Sequence, residues 1–254
     1  MQRAVIEIKA DLLCNSGLHI GNQEGHYTPR SINAPVLQNP AQQLITPSTR
    51  FAPYISGSAL KGKLRNIAEI LFEKPAELKF VNQPAVPSTN TPERKLRRHE
   101  CSTWAEAARC EVCFLFGAST SGDYAPATKY KHFNGRLQFR NALQKNTLEK
   151  EVKTENALDR LTAAANPRTM ERTAPNAVFG FNVVFFSYEN ESFIEPMRHF
   201  LGCLRFLEMS YLGGKGSRGS GSVTFENISI AGHKFAGLKD IDSELAFLSE
   251  GGEA

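Results

Sequence analysis

The chain has 254 residues, enough for one large domain or two small ones, and 41% of them are hydrophobic, as a globular protein with a sizeable core requires. Its 30 Lys and Arg against 26 Asp and Glu leave a net charge of only +4, so it is no polycation, and any nucleic-acid surface must come from clustered cations. No apolar run approaches the length that spans a bilayer, and an odd set of five cysteines argues against a disulfide framework.

Residues 3–13, RAVIEIKADLL, alternate polar and apolar and predict a first strand. The start lacks the uninterrupted apolar region of a secretion signal, so with this cysteine usage a cytoplasmic protein without a membrane partner is expected. SGLHIGNQEG, residues 16–25, suggests a turn beside a surface. His19 sits there among apolar neighbours, and its composition alone favours a half-buried packing residue. HYTPRSINAPVLQNP, residues 26–40, is irregular and held by three prolines.

In PYISGSALKGKLRNIAEILFEK, Ser56 or Ser58 can cap a helix whose apolar positions Leu60, Leu64, Ile67, Ile70 and Leu71 recur at helical spacing. Lys61, Lys63 and Arg65 lie in its first two turns, where the helix dipole disfavours cations. A helix start with hydroxyls, Gly57 and lysines is a natural phosphate site; lysines on a solvated face are the plainer reading.

Residues 74–98 lack periodicity and read as a long excursion from the core. They lead into HECSTWAEAARCEVCFLFG, where His99, Cys101, Cys110 and Cys113 form an H-x-C-x8-C-x2-C pattern. Four such ligands match a closed tetrahedral zinc site, which would be structural because no coordination position stays open; buried free thiols are the alternative. NGRLQFRNA, residues 134–142, alternates as a strand with Arg136 and Arg140 on one face. KEVKTENALDRLTAAANPRTMER, residues 150–172, is polar and carries Lys153, Arg160, Arg168 and Arg172, which suggests a protruding hairpin or helix-turn. AVFGFNVVFFSYE predicts a strand, residues 193–212 a second amphipathic helix, and SVTFENISI a closing strand.

Between that helix and the last strand lies YLGGKGSRGSG, residues 211–221, with five glycines and the cations Lys215 and Arg218. Glycine permits positive φ and close approach, and successive backbone N–H groups can cradle an anion. A flexible loop and a phosphate cradle are both open on composition alone. Strands with two intervening helices predict an α+β, ferredoxin-like sheet covered on one face.

The motifs SGLHIG, SINAPV, PYISGSALKGKLR, CEVCFLFG, KTENALDRLTAAANPRTMER and YLGGKGSRGSG, in this order, resemble the RAMP proteins of type III CRISPR effector complexes. The likeness runs from about residue 3 to 230 and is strongest to the repeated backbone subunit of the type III-A Csm complex. It implies one RAMP domain over 1–254, with an RRM-like, ferredoxin-like core, a zinc-containing lid at about 74–116 and a thumb hairpin at about 150–174. It also implies that several copies polymerise along one CRISPR RNA, a six-nucleotide segment each, with target RNA and other type III subunits as partners. By the same resemblance, Ser58, Lys61, Lys63 and Arg65, and Gly213, Gly214, Lys215 and Arg218, hold the guide backbone. His19 lies in the RNA groove, and Lys153, Arg160 and Arg168 belong to the thumb.

One position departs from the family pattern. Members that cut target RNA with Mg2+ carry an aspartate in the loop where this chain has Asn33. An amide has no charge and is a far weaker ligand for a hard divalent cation, so impaired cleavage with intact RNA binding is expected. Alternatives are an active target-RNA endoribonuclease, with Glu24 or His26 assisting, or a precursor guide-RNA processing enzyme using His19 or His26.

Overall fold

The structure, a computed structural model, describes residues 3–21, 52–74, 79–81, 96–119, 132–188, 191–233, 241 and 245. The strands β1 (Arg3–Cys14), β2 (Tyr54–Ile55), β3 (Lys79–Val81), β4 (Leu96–Arg98), β5 (Ala118–Ser119), β6 (His132–Phe133), β7 (Leu137–Phe139) and β8 (Ala142–Leu143) precede a long hairpin. That hairpin is β9 (Lys150–Leu158) and β10 (Ala165–Thr173), followed by β11 (Val178–Tyr188) and β12 (Val223–Gly232). The helices are α1 (Gly57–Leu71), α2 (Trp104–Arg109), α3 (Glu111–Phe116) and α4 (Ile194–Met209).

One four-stranded sheet organises the chain, in the order β12-β1-β11-β7, and every pairing in it is antiparallel. Counting only the main elements, the sequence β1-α1-β7-β11-α4-β12 with this spatial order is the ferredoxin-like split βαβ arrangement. The alternation that predicted β1 also orients it: Ala4, Ile6, Ile8, Ala10 and Leu12 are buried. Phe179, Phe181, Val183 and Phe185 of β11 point into the same core as Leu60, Leu64 and Ile67 of α1 and Met197, Phe200, Leu204 and Leu207 of α4. Full burial of each such side chain contributes about 1.5–3 kcal/mol, so a charge at Ile8 or Phe181 would unseat both helices.

The other sheet face mixes apolar residues such as Val184 with a charged and amide cluster. Asn182 donates to Glu7 (2.8 Å), Asn227 donates to Asp11 (2.9 Å), and Lys9 pairs with Glu7 at 2.8 Å. Hydrogen bonding from Lys145, then from Asn227, holds the Asp11 carboxyl below its ordinary range. Two anions at its centre make this face a poor platform for stacked RNA bases, so the ferredoxin-like order carries its candidate binding residues elsewhere.

The strand expected at 134–142 is two short pieces, β7 and β8. Arg136 and Arg140 do not share a face: Arg136 is buried and forms a bidentate pair with Glu191 (2.9 and 2.5 Å), whereas Arg140 is exposed. The rings of Phe114, Phe133 and Tyr188 surround the Arg136 guanidinium at 4.4–5.0 Å, which offsets its desolvation. No described helix is long and apolar enough to cross a membrane.

Candidate nucleic-acid interface and metal centre

α1 is capped by Ser56, whose Oγ accepts from the Ala59 N–H (3.2 Å), and Ser58 exchanges a hydroxyl hydrogen bond with Ser56 (3.0 Å). Its first turn contains no acidic residue, and the Gly57 N–H is met by the neutral amide of Asn141 (2.9 Å), so the first turn itself puts no anion on the dipole. Lys61 and Lys63, two residues apart, leave α1 on nearly opposite sides. Lys61 borders a cleft of about 340 Å³ with Gly57, Ser58, Leu137, Gln138, Phe139 and Arg140. Burial, then the nearby charges of Arg65 and Arg98, lower its pKa. An anion in that cleft would relieve this repulsion.

Lys63 turns the other way. Its ammonium lies 4.2 Å from the Tyr211 ring centroid and donates to Ser210 Oγ (3.3 Å). The Tyr211 ring fills the space beside Gly216, where a Cβ would lie 1.9 Å from the ring. Gly216 is glycine because the ring needs its place. The loop continues with Lys215 in the left-handed region (φ 64°, ψ 25°), followed by a 3-10 turn over Gly216–Arg218. A left-handed residue leading into a right-handed turn gathers successive N–H groups into an anion-binding concavity. Among the described residues, the N–H groups of Lys215, Gly216 and Ser217 have no acceptor, while those of Arg218 and Gly219 bond back to Lys215 and Gly216 (both 3.0 Å). The first two glycines serve packing instead: Gly214 N–H donates to the His19 carbonyl (2.9 Å), and a Cβ at Gly213 would lie 2.4 Å from that same oxygen.

His19 is half-buried, the packing residue its neighbours suggested, wedged between the glycine loop and the base of the hairpin. Its Nδ1–H donates to the Glu171 carbonyl (2.7 Å), which leaves Nε2 as the acceptor nitrogen. Thr173 N–H donates to Leu18 O (2.9 Å), and Leu18 N–H to Thr173 Oγ1 (3.1 Å). Of the two forms left open for residues 150–172, the structure takes the hairpin, turning where Asp159 accepts from the Leu161 and Thr162 N–H groups. Glu151, Lys153 and Glu155 face the body of the protein and Val152, Thr154 and Asn156 face away. Arg160 and Arg168 are exposed along the hairpin, and Leu161 at its turn is 98% exposed.

Arg65 departs from the role expected for it. Its guanidinium donates to the carbonyls of His99 (2.7 Å) and Gly117 (2.9 Å) and pairs with Glu69 at 3.2 Å, and its side chain is 12% exposed. Its donors are committed to the protein, where they tie α1 to the segment carrying the cysteines. Sequence spacing placed it with Lys61 and Lys63, but the fold turns it onto the neighbouring backbone.

In that segment the ligand atoms of His99, Cys101, Cys110 and Cys113 lie within 4.8 Å of one another. His99 Nε2 is 3.2 Å from Cys110 Sγ and 3.6 Å from Cys101 Sγ. With zinc bonds of about 2.3 Å to sulfur and 2.0–2.1 Å to nitrogen, a tetrahedron needs separations of about 3.5–3.8 Å. The donor set therefore fits a metal such as zinc with little movement. Cys110 ends α2, and its Sγ accepts from the Cys113 N–H (3.5 Å) as the cap of α3. Hydrogen bonds from Cys113 and then His99 pull the Cys110 thiol down to about 4, while burial pushes Cys101 up to about 11. One thiolate shared among donors is the state a cation would complete. Cys14 and Cys203 are buried elsewhere and desolvation raises both to about 12.

The structure thus brings Lys63, His19, the glycine loop and the hairpin face with Lys153 into one surface. Ser58 and Lys61 line a cleft on the other side of α1 from Lys63, and Arg160 and Arg168 extend outward along the hairpin. Asn33, Glu24 and His26 lie outside the described residues. Sequence reasoning did not single out Tyr211 or Glu155; an aromatic residue abutting a glycine run was the one available signal for Tyr211.

The sequence profile of the RAMP superfamily matches residues 11–224. The chain is 34% identical over 241 residues to the CRISPR system Cms endoribonuclease Csm3 of Streptococcus thermophilus, covering 90% of each chain. It is 30% identical over 240 residues to that of Methanothermobacter thermautotrophicus, covering 88% of this chain and 84% of the relative. Among solved structures it resembles a chain of the Csm3-Csm4 subcomplex in the type III-A CRISPR-Cas interference complex. The TM-score is 0.50 at 21% identity, over 91% of this chain and 81% of the other.

Proposed function

The chain belongs to the RAMP superfamily and, within it, to the Csm3 family, and from that premise we propose that it is the CRISPR RNA-binding backbone subunit of a type III-A effector complex. Copies of it line up along the guide, beside the other subunits of the complex, and present the guide to target RNA. The observation that carries the reading is the set of N–H groups at Lys215, Gly216 and Ser217, open among the described residues and joined through Tyr211 to Lys63. Backbone donors and cations recognise phosphate and not base, which is what a subunit repeated along arbitrary guide sequences needs.

In this reading Ser58, Lys61, Lys63, Lys215 and Arg218 grip the guide backbone, His19 lies in the RNA groove, and Gly213 and Gly214 let the loop pack against His19. Residues of about 150–174 are the thumb, with Lys153, Arg160 and Arg168 following the RNA. Residues of about 74–116 form the lid, in which His99, Cys101, Cys110 and Cys113 would hold zinc. Zinc there supplies a cross-link between the end of the excursion and α3, and no reactive chemistry. The whole is one domain with two insertions.

Asn33 occupies the position of the family aspartate and leaves Mg2+ without its carboxylate, so target cleavage is slow while binding is kept. The relatives' name, endoribonuclease, favours a second reading in which cleavage survives. Purification of the complex under native conditions tests the backbone role. Bound RNA protected from nuclease in multiples of one spacing is expected; an RNA-free monomer that cuts precursor RNA without metal would overturn it.

A further inference from the structure

Arg218, one of the two exposed cations of the glycine loop, is already occupied. Its Nη1 donates to Glu155 Oε2 on the hairpin at 2.6 Å, and Lys153 stands 3.5 Å from the other carboxylate oxygen. The two ends of this pair differ: the Arg218 side chain is 59% exposed, while that of Glu155 is 16% exposed on the face turned toward the loop. Hydrogen bonding from Arg218 holds the Glu155 carboxyl below its ordinary range, so it is ionised at neutral pH. Arg218 directly follows the concavity at Lys215–Ser217. An oxyanion seated in that concavity meets a guanidinium that a carboxylate of the protein has taken first.

Resting on the RNA-binding reading above, we propose that Glu155 is an internal stand-in for an RNA phosphate at Arg218, and thereby sets how tightly the loop holds RNA. Carboxylate and phosphate compete for the same planar donor set. When a phosphate enters, either Arg218 exchanges partners or two anions are held side by side, and both cost affinity relative to a free Arg218. The exchange also alters the salt dependence. A phosphate neutralised by a free cation releases its condensed counterion, whereas one that takes a cation from Glu155 leaves a carboxylate that recruits a counterion of its own. The contact keeps loop and hairpin together before RNA arrives and gives isolated anions little return for opening it. An RNA strand that makes many contacts at once overcomes it.

The test is Glu155→Gln in the full-length protein, titrated with a labelled oligouridine over a range of salt concentrations. The variant is expected to bind about two- to fivefold more tightly at low salt, the range of one exposed ion pair. Its plot of log affinity against log salt should steepen by about 0.7, one additional phosphate contact on a single strand. Adding Arg218→Ala should abolish both gains. Unchanged or weaker binding by Glu155→Gln, or a gain that survives Arg218→Ala, overturns the proposal while leaving the RNA-binding reading intact. Wild-type protein that binds no oligouridine at all overturns both.

Discussion

The ammonium of Lys63 lies over the ring of Tyr211, 4.2 Å from its centroid, and the same ring takes the space that a side chain at Gly216 would fill. The pair joins a cation near the start of one helix to a loop that follows the end of another. Two contributors to one phosphate-binding surface are thereby held at a fixed separation.

Gly216→Ala is accordingly expected to displace the Tyr211 ring and weaken RNA binding equally across unrelated sequences, by on the order of 1 kcal/mol. Tyr211→Ala should weaken it by a similar amount, and the double variant should lose little more than either single one. Filter binding on two oligonucleotides of different sequence measures this. Additive losses would show that the ring does not transmit the loop's position.

Arg65 gives a sharper contrast. Replacing it with Met keeps the aliphatic stem but strips charge-assisted hydrogen bonds from the His99 and Gly117 carbonyls, which should cost about 2–4 kcal/mol of stability. The salt dependence of RNA binding should stay as in wild type, because the side chain meets no phosphate. A slope reduced by about 0.7 with unchanged melting would return Arg65 to the RNA surface.

That residue also marks where sequence reading stopped. β1, α1, β11, α4 and β12 were legible because each buries one face, and burial imposes a period of two or 3.6 on the residues. The four metal-ligand candidates were legible because chelation imposes a spacing. Arg65 and Arg136 were not, since an arginine that bonds carbonyls or a half-buried carboxylate has the same local sequence as one facing solvent. The hairpin form of residues 150–173 was left open because most of its side chains are exposed and impose no strict period.

The candidate metal site predicts a composition. Wild-type protein should carry about one zinc per chain, and Cys110→Ser with Cys113→Ser should carry none, by elemental analysis. Chelation should lower the melting temperature of wild type and leave that of the double variant unchanged. Equal zinc in both proteins would exclude this ligand set.

In the proposed reading, Asn33→Asp restores the carboxylate that the resemblance to target-cutting members implies. Magnesium-dependent cuts at regular spacing in target RNA should appear or strengthen in the assembled complex, with guide binding unaltered. Identical cleavage by the two proteins would remove position 33 from the chemistry.

Among the described residues, the hairpin is held to the body of the protein near its base and again further out, at Glu155. Near its base it is fastened by Thr173 to Leu18 and Glu171 to His19; at Glu155, about 13 Å further along at 3.3 Å per residue, it is fastened by the ion pair with Arg218. A beam resting on two supports has a fixed heading, and a beam on one can swing. The inner support is made of hydrogen bonds that each involve a main-chain group and that salt barely touches, while the outer is an ion pair with an exposed guanidinium that salt screens. Rising ionic strength is therefore expected to weaken the outer support before the inner one, so that the heading of the hairpin's tip loosens while its base stays fastened.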